Sequence, residues 1–308
     1  MSNGENDSAC LTVLRSGVCC TVQDLGRFGY AQYGLSQGGA MDIHAHCWAN
    51  KLLDNPVMTP TIEVTIGMAC FRAEADLELA ITGADMQADL DGEPLGNWRS
   101  FPMSQGQILK LNPARQGMRA YLGMKGGIEL PSVLGSSSTV VRNGIGSVIG
   151  DGDRLPVFGA KGMKIAHVPP RYVAHYPDTI LLRVIESYQV ADFSQDAMEH
   201  FYGSEYRLTR DSDRMGARLE GEPVVAPPGE LISEGIALGA IQVPPDGQPI
   251  ILLNDRQTLG GYPKLGCVAR VDLPKLAQAR PETRIRFAPV SLEQARLEWQ
   301  EFCGYFTI

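Results

Sequence analysis

The density of turn-forming residues constrains this chain more than any other feature. Gly occurs 34 times and Pro 20 times in 308 residues, which disfavours a helical protein and favours short segments joined by turns. Between the turns, apolar and polar residues alternate. Leu77-Glu78-Leu79-Ala80-Ile81, Ile108-Leu109-Lys110-Leu111 and Arg284-Ile285-Arg286-Phe287 are examples. A period of two places every second side chain on one face of a strand. Two runs, Leu181 to Ile185 and Ile250 to Leu253, are more continuously apolar. They suit strands buried on both faces or strands in a barrel wall.

Helix signals are few. Asp42 stands where it can cap a helix whose apolar face is Ala45, Trp48, Ala49, Leu52 and Leu53, with Asn55-Pro56 ending it. Ser194 can cap a second helix, with Phe193 and Met198 as a staple. Pro274 suits the first turn of a third, and Ser291 with Gln294 forms a capping box for a last helix over Ala295, Trp299 and Phe302. The fold class expected is therefore mainly β, a barrel or sandwich with a few short helices. Residues 1–10 are polar and read as loose. The Pro-rich stretch His167 to Arg171 marks a boundary between an N-terminal β lobe, 11–166, and a C-terminal β lobe, 167–308.

Composition narrows the function. Apolar residues at 44% and charged residues at 20% are those of a globular protein. A net charge of −8 argues against nucleic acid or an anionic membrane surface as partner. No run reaches the ~18 apolar residues of a spanning helix. The opening MSNGENDSAC lacks the pattern of a secretory signal, so a cytoplasmic protein is expected. Seven cysteines without a C-x-x-C pair argue against a disulfide framework or zinc knuckle, and read as small core residues. Five scattered histidines give no metal site, and there is no Walker A, G-x-S-x-G or H-E-x-x-H motif.

Polar, glycine-containing blocks are what remain. Val22 to Gly29 and Gly38 to Asp42 suit either backbone anion binding or a tight turn into a helix. Thr82-Gly83-Ala84-Asp85 reads as a turn with Asp bonding its own backbone. Glu63, within a strand-like run, is expected to face outward. Asp211 to Leu219 packs charged groups able either to grip an anion through Arg forks or to pair with one another. Pro245-Asp246-Gly247 is a turn. Asp255 to Tyr262 differs from these, because an apolar strand delivers Asp, Arg, Gln and Thr into a Gly-Gly loop with a Tyr. Turn geometry cannot satisfy so many groups, so binding is expected there.

Taken together the blocks resemble one family. V-Q-D-L-G-R-x-G at Val22 to Gly29, G-A-M-D at Gly39 to Asp42, A-N-K-L at Ala49 to Leu52 and T-G-A-D at Thr82 to Asp85 come first. G-x-R-A-Y-L at Gly117 to Leu122, S-D-R-M-G-x-R-L at Ser212 to Leu219, G-A-I-Q-V-P-P-D-G-Q-P at Gly239 to Pro249 and D-R-Q-T-x-G-G-Y-P at Asp255 to Pro263 follow. In this order they resemble the allophanate-hydrolase-subunit-2-like family, which includes 5-oxoprolinase C subunits. The resemblance implies cyclophilin-like β-barrel lobes. It implies a B subunit homologue (KipI-like) and a third, A subunit as partners, and ATP used by the complex at a site that the sequence leaves open to another subunit. The reaction implied is cleavage of the lactam of 5-oxo-L-proline to L-glutamate, by a subunit inactive alone. Two other readings are implied: a biotin-dependent carboxyltransferase subunit of the urea-carboxylase type, and a non-catalytic, kinase-inhibitor-associated regulatory subunit. The chain departs from the family at three places. Ser136-Ser137-Ser138-Thr139 stands for S-R-S-T, a G-R-x-L segment is missing before Gly150-Asp151, and Ser187-Tyr188-Gln189 keeps only the Gln of G-P-Q.

Residue type and motif position then suggest roles. Arg214, Arg218 and Arg256 hold an anion, and Asp213 and Asp255 orient them or move a proton. Asp213, Arg214, Asp255 and Arg256 are the catalytic candidates. Asp24, Arg27, Asp42, Arg218, Gln257 and Tyr262 are the substrate-binding ones.

Overall fold

A computed structural model of the protein describes residues 10–158, 165–227, 229 and 231–308. Most of the loose N-terminal stretch expected over 1–10 lies outside the described residues; Cys10 itself opens the first strand. Two units emerge. The first comprises residues up to Gly26 and Ile43–Ala174, the second Arg27–Asp42 and His175–Ile308. The sequence places the boundary at 166/167; the division falls after Ala174, and a short segment of the N-terminal half belongs with the second unit.

The first unit contains β1 (Cys10–Ser16), β2 (Cys19–Gln23), α1 (Ile43–Leu52), β3 (Thr61–Thr65), β4 (Ala69–Ala73), β5 (Leu77–Asp85), β6 (Asp89–Leu90), β7 (Glu93–Pro94), β8 (Arg99–Met103), β9 (Ile108–Leu111), β10 (Gln116–Met124) and β11 (Arg154–Pro156). They form two sheets, ordered β11-β1-β4-β9-β6-β7 and β2-β3-β10-β5-β8. Alternation supplies the core: Leu11 and Val13 of one sheet and Ile62, Val64, Leu79 and Ile81 of the other belong to a single buried cluster. The apolar face predicted for α1 is buried as expected, with Ala45, Trp48, Ala49, Leu52 and Leu53 all at 5% exposure or less. The helix packs on β5 and β10, and Thr82 Oγ1 donates to the Ala45 carbonyl at 2.7 Å.

The T-G-A-D block is structural. Gly83 has φ +84°, and a Cβ there would lie 2.4 Å from the Arg119 carbonyl, so only glycine fits this approach. Asp85 Oδ1 accepts from Gln87 N, the expected side-chain turn. Glu63 corrects the sequence reading. It is 1% exposed rather than outward-facing. Tyr121 donates to it at 2.7 Å and Arg119 lies 3.6 Å away, which makes burial tolerable.

The second unit contains β12 (Thr179–Glu186), α2 (Gln195–Gly203), β13 (Tyr206–Leu208), β14 (Gly216–Glu220), β15 (Glu234–Gly235), β16 (Ala240–Gln242), β17 (Ile250–Leu252), β18 (Leu259–Gly260), β19 (Lys264–Val268), α3 (Leu273–Ala277), β20 (Arg284–Pro289) and α4 (Leu292–Phe306). Seven strands close a barrel in the order β12-β19-β16-β17-β14-β13-β20, so the mainly β, barrel-containing class expected is the class found. Closure leaves no open edge among these strands. The β12 run alternates rather than being buried on both faces: Ile180, Leu182 and Val184 point into the core, while Leu181 is 49% exposed.

Both serine caps hold. Ser194 Oγ accepts from Ala197 N and Ser291 Oγ from Gln294 N, each at 3.1 Å. The capping box at Ser291 is half made, because the Gln294 amide turns to Glu298 instead. Arg183 of β12 bridges Asp272 and Glu298, tying α4 to the barrel. The described cysteines are unbridged, and burial, then Cys19, pushes the Cys20 thiol up to about 12. No described helix is long and apolar enough to cross a membrane.

Candidate functional site

The candidate site is built where the barrel strands β14, β16 and β17 meet the polar loop after β17. Asn254 and Asp255, the first polar residues of that loop, are buried. Asn254 Nδ2 donates to the carbonyls of Gly38, Gly39 and Ala40 at 3.1–3.2 Å. Ser36 Oγ donates to the Arg256 carbonyl at 2.8 Å. The segment 27–42 is therefore stitched to the loop by groups its own backbone cannot satisfy. Asp255 is 6% exposed. Its two oxygens accept from Arg214 Nε at 2.9 Å and Nη2 at 3.0 Å, and Nη2 also donates to the Gly39 carbonyl at 2.8 Å. This bidentate fork uses Arg214 and Asp255 on each other.

Asp213 is exposed and forms the turn before β14, its Oδ1 accepting from Met215 N and Gly216 N. It rims a groove of about 790 Å³ along the barrel wall, lined also by Arg218, Gln242, Gln257, Tyr262 and Thr209. Register explains why these residues meet. Arg218 pairs with Ile250, Ile250 with Gln242, and Gln242 with Lys264 across successive strands, and paired residues share a face. Gln242 is 2% exposed, yet its Nε2 has no hydrogen-bond partner among the described residues, and neither has the buried Thr209 Oγ1. Both residues line the groove, while these two atoms themselves have almost no accessible surface. Four carboxylates, Asp211, Asp213, Glu220 and Asp246, also border it against the single cation Arg218.

Beyond Gln242 the row ends in a charged network. Lys264, 8% exposed, pairs with Glu234. Glu234 also accepts from the Tyr188 hydroxyl at 2.6 and 2.7 Å and from Gln189 Nε2 at 3.0 Å. Gln189 Oε1 accepts from Lys264 N at 2.8 Å. The hydrogen bond from Lys264, then that from Tyr188, holds the Glu234 carboxyl below its ordinary range.

A second, smaller cavity of about 80 Å³ is lined by Arg27, Ser36, Arg256, Gln257 and Thr258, among others. Gln257 borders both spaces. Arg256 donates from Nε to the Ile236 carbonyl at 3.1 Å and from Nη1 to the Leu253 carbonyl at 3.2 Å. Burial, then the nearby Arg270, holds its guanidinium down to about 10, so it remains a cation at neutral pH.

The ten sequence candidates thus separate. Asp213, Arg218, Gln257 and Tyr262 gather at the groove, and Arg27 and Arg256 join Gln257 at the small cavity. Arg214 and Asp255 form the buried pair. Asp42 is fully buried and accepts from Gln278 Nε2 at 2.8 Å and the Tyr176 hydroxyl at 3.4 Å. Asp24 belongs to the first unit and sits in a serine cage. Its Oδ1 accepts from Ser136 Oγ at 2.7 Å and Ser138 Oγ at 2.5 Å, and its Oδ2 from Ser137 N at 2.7 Å. Both Asp24 and Asp42 lie outside the two cavity linings. Sequence reasoning misses Gln242, Thr209 and Lys264. Two signals are available: Gln242 lies within the Gly239 to Pro249 block, and Gln189, the residue kept from the family triplet, anchors the Lys264 network.

Comparison with known proteins gives a consistent set of relatives. A family model described as the carboxyltransferase domain, subdomain A and B, matches residues 33–289. The chain is 38% identical over 303 residues to the 5-oxoprolinase C subunit of Escherichia coli, covering 96% of each. It is also 38% identical over 284 residues to the 5-oxoprolinase C subunit of Haemophilus influenzae, covering 89% of each. The Kluyveromyces lactis urea carboxylase structure superposes with TM-score 0.89 at 25% identity, covering 96% of this chain but 29% of that one.

Proposed function

Since the chain belongs to the family of carboxyltransferase domains built from subdomains A and B, we propose that it is the C-type subunit of an ATP-dependent 5-oxoprolinase, acting with a B subunit and a third subunit. The observation that carries this reading is coverage: the match to the Escherichia coli protein spans 96% of both chains. The urea carboxylase match takes in less than a third of that larger enzyme.

The groove supports an amide substrate. Opening the lactam breaks the ring C–N bond, adds the oxygen of water to the carbonyl carbon and leaves a proton on the nitrogen. Gln242 and Thr209 bring unsatisfied polar atoms to the groove wall, which reach the amide once their side chains turn toward it, and the Arg218 fork suits the substrate carboxylate. Gln257 and Tyr262 close the binding set. Arg214 and Asp255 act as positioning residues, holding the loop that carries Arg256 and Gln257. ATP is used by the complex, at a site this reading leaves open to another subunit. The chain alone is then inactive, and the complex is a cytoplasmic assembly.

The test is co-expression with the B and third subunits, followed by ATP-dependent glutamate release from 5-oxo-L-proline. Absence of turnover by the complete purified complex sinks the reading. The urea carboxylase likeness favours one alternative, a subunit taking a carboxyl group from carboxybiotin. Biotin-dependent carboxyl transfer with no lactam turnover would establish that alternative.

A further inference from the structure

We infer that the small cavity bounded by Arg27, Arg256, Gln257 and Thr258 is a binding subsite for one small oxyanion, a carboxylate or a phosphate, separate from the large groove that takes the body of a substrate. The inference rests on which donors the protein has already used. Arg256 spends Nε and Nη1 on the carbonyls of Ile236 and Leu253. Those two bonds fix the plane of the guanidinium and leave Nη2 donating to no described residue. The side chains of the next two residues, Gln257 and Thr258, likewise donate to no described residue. Three consecutive residues thus bring donors to one wall of a single space. Arg27, 2% exposed, adds a second cation to the lining.

Charge and size agree with this assignment. No Asp or Glu lines the small cavity, whereas four line the large groove. No carboxylate pairs with Arg256 among the described residues, unlike Arg214 beside it, which Asp255 neutralises. A half-buried cation such as Arg256 is costly without a counter-ion, and a bound anion reduces that cost. About 80 Å³ holds a few waters or one small oxyanion and excludes a nucleotide. The guanidinium fork, an amide and a hydroxyl are donors of the kind that carboxylate and phosphate oxygens accept.

The subsite does not depend on the lactam reading, because it is read from the resting protein without substrate. The intact chain is titrated with sodium phosphate and, separately, with sodium acetate. Ionic strength is held constant with sodium chloride, and heat and melting temperature are followed. Saturable one-to-one binding of at least one anion is expected, with R256Q weakening it at least tenfold and the exposed R210Q leaving it unchanged. Phosphate binding without acetate binding identifies a tetrahedral dianion as the ligand; acetate binding that competes with phosphate identifies a carboxylate. R256K, which keeps the charge and loses the fork, and T258V, which removes one donor, each weaken binding severalfold, and they serve if R256Q fails to fold. The inference is overturned if neither anion binds saturably to the wild-type chain. It is equally overturned if R256K and T258V bind like wild type.

Discussion

Arg214 meets Asp255 fork to fork, with Nε 2.9 Å from one carboxylate oxygen and Nη2 3.0 Å from the other. The two residues are 41 positions apart and both largely withdrawn from solvent, their side chains 19% and 9% exposed. Removing one partner leaves the other charged and uncompensated. Asp255→Ala is expected to lower unfolding free energy by about 3 kcal/mol, read from urea denaturation. The double variant Arg214→Met/Asp255→Leu recovers most of that loss. A single-variant cost below about 1 kcal/mol would mean that the pair is not what holds the loop.

Gln242 gives the opposite expectation. Its Nε2 has no partner to lose among the described residues, so Gln242→Leu keeps stability within about 1 kcal/mol of wild type. Turnover by the assembled complex is expected to fall by more than about tenfold, because a donor to the substrate is gone. Unchanged turnover with unchanged stability removes Gln242 from the binding site.

The serine cage separates a family departure from its consequence. Ser137 serves Asp24 through its backbone N–H, so the side chain at this position is dispensable to the cage. Ser137→Arg, which restores the family residue, is expected to change stability by no more than about 0.5 kcal/mol. Asp24→Ala orphans two hydroxyls and two N–H groups, those of Gly26 and Ser137, and is expected to cost about 2 kcal/mol or more. Thermal unfolding of the two variants side by side checks both statements.

His46 sets a pH dependence. It is fully buried, with Nδ1 2.9 Å from Thr61 Oγ1 and Nε2 2.9 Å from the Val57 carbonyl. A carbonyl only accepts, so Nε2 carries the proton and Nδ1 accepts from the hydroxyl. Burial lowers the imidazole below its ordinary value of 6.5, outweighing the Val57 bond and the charges of Asp24 and Glu63, which raise it. The unfolded chain therefore takes up this proton first as pH falls. The contribution of His46 is fully present above about pH 6.5 and is lost as pH drops through the lower folded value. Denaturation at about pH 7.5 and about pH 5.5, on either side of the ordinary imidazole value, should show this loss, and His46→Gln should reduce the difference. An identical difference in the variant would assign the pH dependence to other groups.

Local signals are legible in the sequence wherever a residue's structure depends on its neighbours along the chain. The alternation at Leu77 to Ile81 becomes β5, Ser194 and Ser291 cap their helices, and Pro245-Asp246-Gly247 turns as expected. The Asp255 to Tyr262 block is also legible as a display of polar groups, because no turn satisfies so many donors. What each group does there is not legible. That Arg214 holds both oxygens of Asp255 is announced by nothing near Asp255 in the chain, and Glu63 reads as outward until Tyr121 and Arg119 are seen beside it.

By itself, then, the sequence determined the β-rich class, the caps, the turns and the polar blocks, since periodicity and capping are local properties. Only the tertiary structure decided which charges pair with one another and which face a cavity. Arg218, Ile250, Gln242 and Lys264 come into one row through strand register, across 46 positions of chain. Arg214 finds its carboxylate in a distant loop, while Arg256, next in sequence to that carboxylate, finds carbonyls and an open cavity. Pairing depends on which donors and acceptors folding brings within about 3 Å, and no local pattern encodes that distance.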